Sequence, residues 1–140
     1  MPHTRHAHGP LVRALREAKG LTLREVGQAA GVSTGYLSRV ERGDARTASP
    51  RVTKRLADAL GVLPEHLTGQ KPPYRPLRAA LTTESRAEFA EQVGVAEGEL
   101  ADIEAGAITP TVGEVYRIAQ RLGLPASALI IPARTELEAR

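Results

Sequence analysis

Three histidines near the start of the chain, His3, His6 and His8, have a spacing that could hold a transition metal. Three histidines in an N-terminal tail are ordinarily just tail residues, so no metal site is expected there. Together with Arg5 the same tail could instead reach into a nucleic-acid groove, as terminal arms can. His66 has no carboxylate or nucleophile at an informative spacing. The chain has no cysteine, which excludes disulfides, thiolate metal sites and cysteine nucleophiles. There is no phosphate-cradling glycine loop, no histidine pair on a helix and no convergent set of carboxylates. Enzymatic chemistry and a cofactor are therefore not expected.

The charge is more informative than the reactive groups. Residues 1–70 hold 11 Lys/Arg against 6 Asp/Glu, whereas residues 71–140 hold 8 against 10, so the overall +3 divides into +5 and −2. A basic half and an acidic half suggest different partners. No apolar run approaches the ~18 residues of a membrane span, and the start lacks an apolar signal core, which suggests a soluble cytoplasmic, nucleoid-associated protein without a membrane partner. With one Phe, three Tyr and no Trp, the core must be built from Leu, Val, Ile and Ala.

Those residues recur. The segment Leu23 to Gly43 lies over Arg86 to Gly106 at a constant offset of 63 with no gap. Val26 falls on Phe89, Ala30 on Val93, Val32 on Val95, Leu37 on Leu100 and Val40 on Ile103. Thr22 with Glu25, and Ser85 with Glu88, each read as a capping box that starts a helix. Pro50 to Val62 parallels Pro110 to Leu124, with apolar residues at helical spacing, Gly61 or Gly123 as the stop and a Pro-led turn beyond it. Leu11, Leu15 and Ala18 mark an amphipathic first helix from Leu11 to Lys19. Its counterpart is expected to be only Leu77 to Leu81, after a stiff linker through Lys71-Pro-Pro-Tyr-Arg-Pro76. The chain divides into a tail (1–9), a first domain (10–69), a linker (70–76), a second domain (77–131) and a C-terminal tail (132–140).

Two helices joined by the tight turn Gly31-Val32-Ser33 can cross steeply only if small residues sit at the crossing. Gly27 and Gly31 supply these in the first copy, Ala90 and Gly94 in the second. With these residues in place, Leu21 to Gly43 closely resembles the phage-repressor helix-turn-helix family, Cro-like and xenobiotic-response-element-like. The resemblance covers about residues 10–69 and, more weakly, 77–131. It implies an all-α fold of two tandem five-helix, lambda-repressor-like domains joined by a Pro-rich linker. It also implies a sequence-specific DNA-binding transcriptional regulator, a repressor by preference, whose third helix enters the major groove.

Carried onto this sequence, the resemblance makes Thr34, Gly35, Ser38 and Arg39 the base-reading set, with Gly35 allowing close approach and Arg39 able to pair bidentately with guanine. Thr22, Ser33, Tyr36, Arg42 and Arg46 become phosphate contacts. Leu23 stands where the family commonly has a Gln, which removes one phosphate contact. Arg16 and Glu41 are implied as a structural ion pair between the first and third helices. A polar helix face such as Thr34-Ser38-Arg39 is ordinarily only a solvated one; the surrounding motif is what gives it a role.

The second copy carries Glu97, Glu99 and Asp102 where the first has Thr34, Tyr36 and Arg39, a set that should repel a phosphate-lined groove. It is expected to keep the fold and serve dimerisation or partner binding, with Leu124, Leu129, Ile130 and Ile131 as candidate interface residues. The alternative is that these four simply complete a small core. Double-stranded DNA and a second copy of the chain are the expected partners. The competing class is a protein-interaction module, such as an antitoxin or adaptor.

Overall fold

The computed structural model describes residues 6–43 and 48–130, all helix, turn or loop with no strand among them. They fall into two units, one running to Gln70 and the other from Lys71 to Ile130.

The first unit contains α1 (Gly9–Ala18), α2 (Leu23–Ala30), α3 (Thr34–Arg42), α4 (Pro50–Leu60) and α5 (Pro64–Thr68). Three of these starts are fixed by hydroxyls. Thr22 Oγ1 accepts the Glu25 amide at 3.0 Å while Glu25 Oε1 accepts the Thr22 amide at 2.8 Å, a complete capping box. Ser33 and Ser49 cap α3 and α4 by accepting the amides of Tyr36 and Val52. At α5 the cap is His66, whose Nδ1 accepts the Leu63 amide at 3.2 Å, so this histidine has a local structural use.

Packing pairs α2 with α4 and α1 with α3. Leu11, Leu15, Val26, Ala30, Leu37, Val40, Leu56, Leu60 and Leu67 are buried between them. At about 25 cal/mol per Å² of apolar surface, such aliphatic side chains are the main source of stability in a unit this small.

Helix α1 begins at Gly9 rather than at Leu11, and the His8 amide donates to Leu67 O at 2.7 Å. Residues 8 and 9, read from sequence as tail, are therefore built into the unit. Gly9 is required by the approach of α1 to the end of α3, because a Cβ there would lie 2.2 Å from Val40 O and 2.7 Å from Glu41 O. Gly27 is required at the turn between α2 and α3, where a Cβ would meet Val32 O at 2.8 Å.

The second unit contains α6 (Tyr74–Leu81), α7 (Arg86–Val93), α8 (Glu97–Ala105), α9 (Val112–Leu122) and a 3₁₀ turn at Ala126–Ala128. Helix α6 has two turns, not one, so residues 74–76 are helix and not linker. Pro76, read from sequence as the end of a stiff linker, is the third residue of the helix, where the missing amide would have had no intrahelical partner. Tyr74 is buried there, which raises the pKa of its phenol. The fifth element is a 3₁₀ turn rather than a full helix, closed by the Leu129 and Ile130 amides on Ala126 O.

Capping repeats as well. Ser85 with Glu88 forms a capping box like that of Thr22, and Thr111 with Glu114 forms another at the start of α9. Phe89, Ala90, Val93, Leu100, Ile103, Ile118, Leu122, Ala128 and Leu129 make the second core.

Candidate nucleic-acid interface

Helix α3 is short and two-faced. Leu37, Val40 and Glu41 are buried, and helical spacing places Thr34, Gly35, Ser38, Arg39 and Arg42 on the opposite side. Thr34, Gly35, Arg39 and Arg42 are exposed, while Ser38 and Tyr36 are half-buried.

Gly35 is the informative residue of this face. A Cβ built on it would meet nothing within 4 Å, and its φ is not positive, so neither packing nor backbone geometry requires a glycine. Glycine inside a helix costs roughly 1 kcal/mol relative to alanine. What it gives in return is a flat, unobstructed stretch of backbone on the exposed side. Gly98, at the matching position of α8, is equally open.

The cations of α3 are held differently from one another. The Arg39 guanidinium lies over the Tyr36 ring, 5.8 Å from its centroid. Arg42 Nη1 donates to Ser38 Oγ at 2.7 Å, so these two side chains act together. Ser33 stands exposed at the helix start with its hydroxyl accepting the Tyr36 amide. Thr22 is also exposed, its hydroxyl oxygen engaged as a helix cap and its proton left to donate elsewhere. Arg46 lies outside the described residues, as do His3 and Arg5.

The inner side of α3 is anchored by Glu41. Arg16 Nε and Nη2 donate to its two carboxylate oxygens at 2.7 and 3.1 Å, and Arg16 Nη1 donates to Leu21 O at 3.0 Å. The hydrogen bond to Glu41 raises the Arg16 pKa against the opposing effect of burial. This bidentate contact fixes α3 against α1 and the loop before α2.

Sequence reasoning passed over two exposed cations, Arg24 and Arg51, each the second residue of a helix. Neither makes a hydrogen bond or ion pair with a described residue. The signal was present: a basic residue directly after a helix start leaves its charge beside free backbone amides, an arrangement that suits phosphate.

In α8 the matching surface is acidic. Glu97 and Asp102 are exposed and Glu99 is half-buried, and Glu97 is 3.5 Å from Arg86. The arginines of the second unit are mostly engaged. Arg78 pairs with Glu104, Arg117 donates to Val93 O and Arg121 pairs with Glu84.

The candidate apolar interface differs from the expected one. Leu129 is 4% exposed and packs inside its own unit, Leu124 is half-buried, Ile130 is exposed and Ile131 lies outside the described residues. The large exposed apolar side chains of this unit are Ile108, Val112, Tyr116 and Ile130, three of them unforeseen. Val112 and Tyr116, 67% and 55% exposed, are one turn apart on α9.

Among the described residues no three or more His, Asp or Glu side chains are grouped to hold a metal ion, and no helix is long and apolar enough to cross a membrane.

Comparison with known proteins bears on both units. Residues 9–69 match the family described as "Helix-turn-helix domain", and residues 85–129 match the family described as "Helix-turn-helix". The chain belongs to the Cro-like helix-turn-helix family, in two tandem copies. Within it, this helix-turn-helix protein is similar to the HTH-type transcriptional repressor RghR of Bacillus subtilis (strain 168), with 39% identity over 54 residues. That match covers 39% of this chain and 40% of the relative, so the chain spans about two fifths of the length of that protein. No solved structure matches.

Proposed function

We propose that this protein is a sequence-specific DNA-binding transcriptional regulator, a repressor by preference, that reads the major groove with α3 of its first unit. The observation that carries this reading is the outer face of α3. It combines a glycine that the fold does not require, a cation whose donors are not taken by described residues, and a bidentate anchor behind it. Thr34, Gly35, Ser38 and Arg39 face base edges, and Ser33, Thr22 and Arg42, with Arg24 and Arg51 added, contact phosphate. The repressor preference is supported by the similarity to RghR, which is named a transcriptional repressor.

The second unit serves association, with DNA excluded from α8 by Glu97, Glu99 and Asp102. Two copies of the chain then present two α3 helices to half-sites about one helical turn, ~34 Å, apart. Exposure of Val112 and Tyr116 on α9 supports that assignment. Selection of binding sites from randomised duplexes tests the function: a regulator enriches a recurrent site with two related half-sites, whereas an antitoxin-like or adaptor module enriches none.

A further inference from the structure

Arg39 and Tyr36 are three residues apart on α3 and therefore neighbours on its surface, with the guanidinium carbon 5.8 Å from the ring centroid. The backbone that carries the ring is held at the helix start. Tyr36 is half-buried, and its amide is fixed to Ser33 Oγ at 3.0 Å in the cap of the helix. Arg39 makes no hydrogen bond or ion pair with any described residue. Arg42, by contrast, has committed Nη1 to Ser38 Oγ at 2.7 Å.

This difference matters for recognition. An ion pair would hold an arginine by consuming the N–H groups with which it must read a base. Stacking on an aromatic ring holds it by the flat face of the guanidinium and leaves the donor edge open. A long side chain that is already ordered also loses less conformational freedom when it pairs with its target.

We infer that Tyr36 is a positioning residue whose ring holds the Arg39 guanidinium with its donor edge outward, and so sets how sharply Arg39 discriminates its base. The inference rests on the proposed reading of DNA by α3. It gives Tyr36 a role different from the phosphate contact that family resemblance implied. The ring is the working part, and the phenol hydroxyl is dispensable for discrimination.

The test uses the full chain and a duplex obtained by selection. The informative base pair is the one at which Arg39→Ala loses preference. Discrimination is the ratio of affinities for the selected duplex and for a duplex altered at that pair. Tyr36→Phe should keep the ratio and the salt dependence. Tyr36→Ala and Tyr36→Leu should each lower the ratio by about two- to five-fold, the size of an exposed cation–π contact. In an Arg39→Ala background neither should lower affinity for the selected duplex further.

Two outcomes overturn the inference while leaving DNA reading by α3 intact. In the first, Tyr36→Phe weakens binding to every duplex and makes the salt dependence shallower, as loss of a phosphate contact does. In the second, Tyr36→Ala weakens binding to the selected duplex as much without Arg39 as with it, as a purely structural role requires. Retention of every base preference by Arg39→Ala would instead remove the reading by α3, and this inference with it.

Discussion

Arg78 donates to both carboxylate oxygens of Glu104, at 2.7 and 3.0 Å, repeating in the second unit the contact that Arg16 makes with Glu41 in the first. A second tertiary contact repeats with it: Arg55 donates to Ala30 O, and Arg117 donates to Val93 O. Each unit thus ties its first helix to its third, and its fourth to the end of its second, by an arginine. In both pairs the hydrogen bond that the arginine donates to the carboxylate raises the arginine pKa. Glu41→Ala and Glu104→Ala each remove the bidentate carboxylate from a largely buried guanidinium, and each should destabilise its own unit by about 3 kcal/mol. Hydrogen exchange resolved by helix checks this, since Glu41→Ala should accelerate exchange in α3, and Glu104→Ala in α8, without crossing over.

Gly35→Ala separates folding from function. The added methyl meets nothing, so the variant should be more stable by about 0.5–1 kcal/mol in thermal or denaturant unfolding. It should nevertheless bind its selected duplex more weakly, because the methyl stands on the surface that approaches the groove. A variant both stabler and equally tight would show that the glycine has no part in recognition.

The second unit should weaken in acid through two carboxylates. The hydrogen bond from Arg121 holds Glu84 below the usual carboxylate range, and the backbone amide of Thr111 does the same for Glu114. A carboxylate whose pKa is lower folded than unfolded contributes its full stability above the unfolded value, about 4.3 for glutamate, and loses it as pH falls through the folded value. Unfolding of α6 to α9 followed between pH 7 and pH 3 should show that loss. Glu84→Gln should flatten the profile, and a profile unchanged by the substitution would contradict the assignment.

Dimerisation should depend on α9. Replacing Val112 with Ser and Tyr116 with Ala changes two side chains that are already exposed, so the fold should persist while sedimentation shifts toward the monomer. A native chain that sediments as a monomer at tens of micromolar would remove the dimer from the account.

Most of the fold could be read from the chain because its signals are local. Thr22 with Glu25, Ser85 with Glu88 and the stops at Gly31, Gly61, Gly94 and Gly123 act over three or four residues, and each glycine stop has positive φ. The exposed face of α3 follows from helical spacing against Leu37 and Val40. What escaped was tertiary or cryptic. Gly9 looked like tail because its close approach to Val40 O joins residues 31 apart in sequence. Pro76 looked like linker because a proline in the first turn of a helix resembles one that prevents a helix. Arg78 was missed as the partner of Glu104 because the two copies shift by one residue between their first and second helices, giving an offset of 62 for the first helices and 63 for the second and third. Leu129 and Val112 are equally apolar in sequence, and only packing decides that the first is buried and the second is not.

The division of labour between the units is tested most directly by selecting sites from randomised duplexes with three full-length proteins. These are the native chain, Arg39→Ala, and the triple variant Glu97→Ala, Glu99→Ala, Asp102→Ala. The native chain should enrich one recurrent site. Arg39→Ala should lose preference at one base pair of each half-site, worth about 1–3 kcal/mol, and the triple variant should enrich the native site unchanged. Enrichment of no recurrent site by the native chain, or a changed site with the triple variant and none with Arg39→Ala, would contradict the claim that α3 reads DNA and α8 does not.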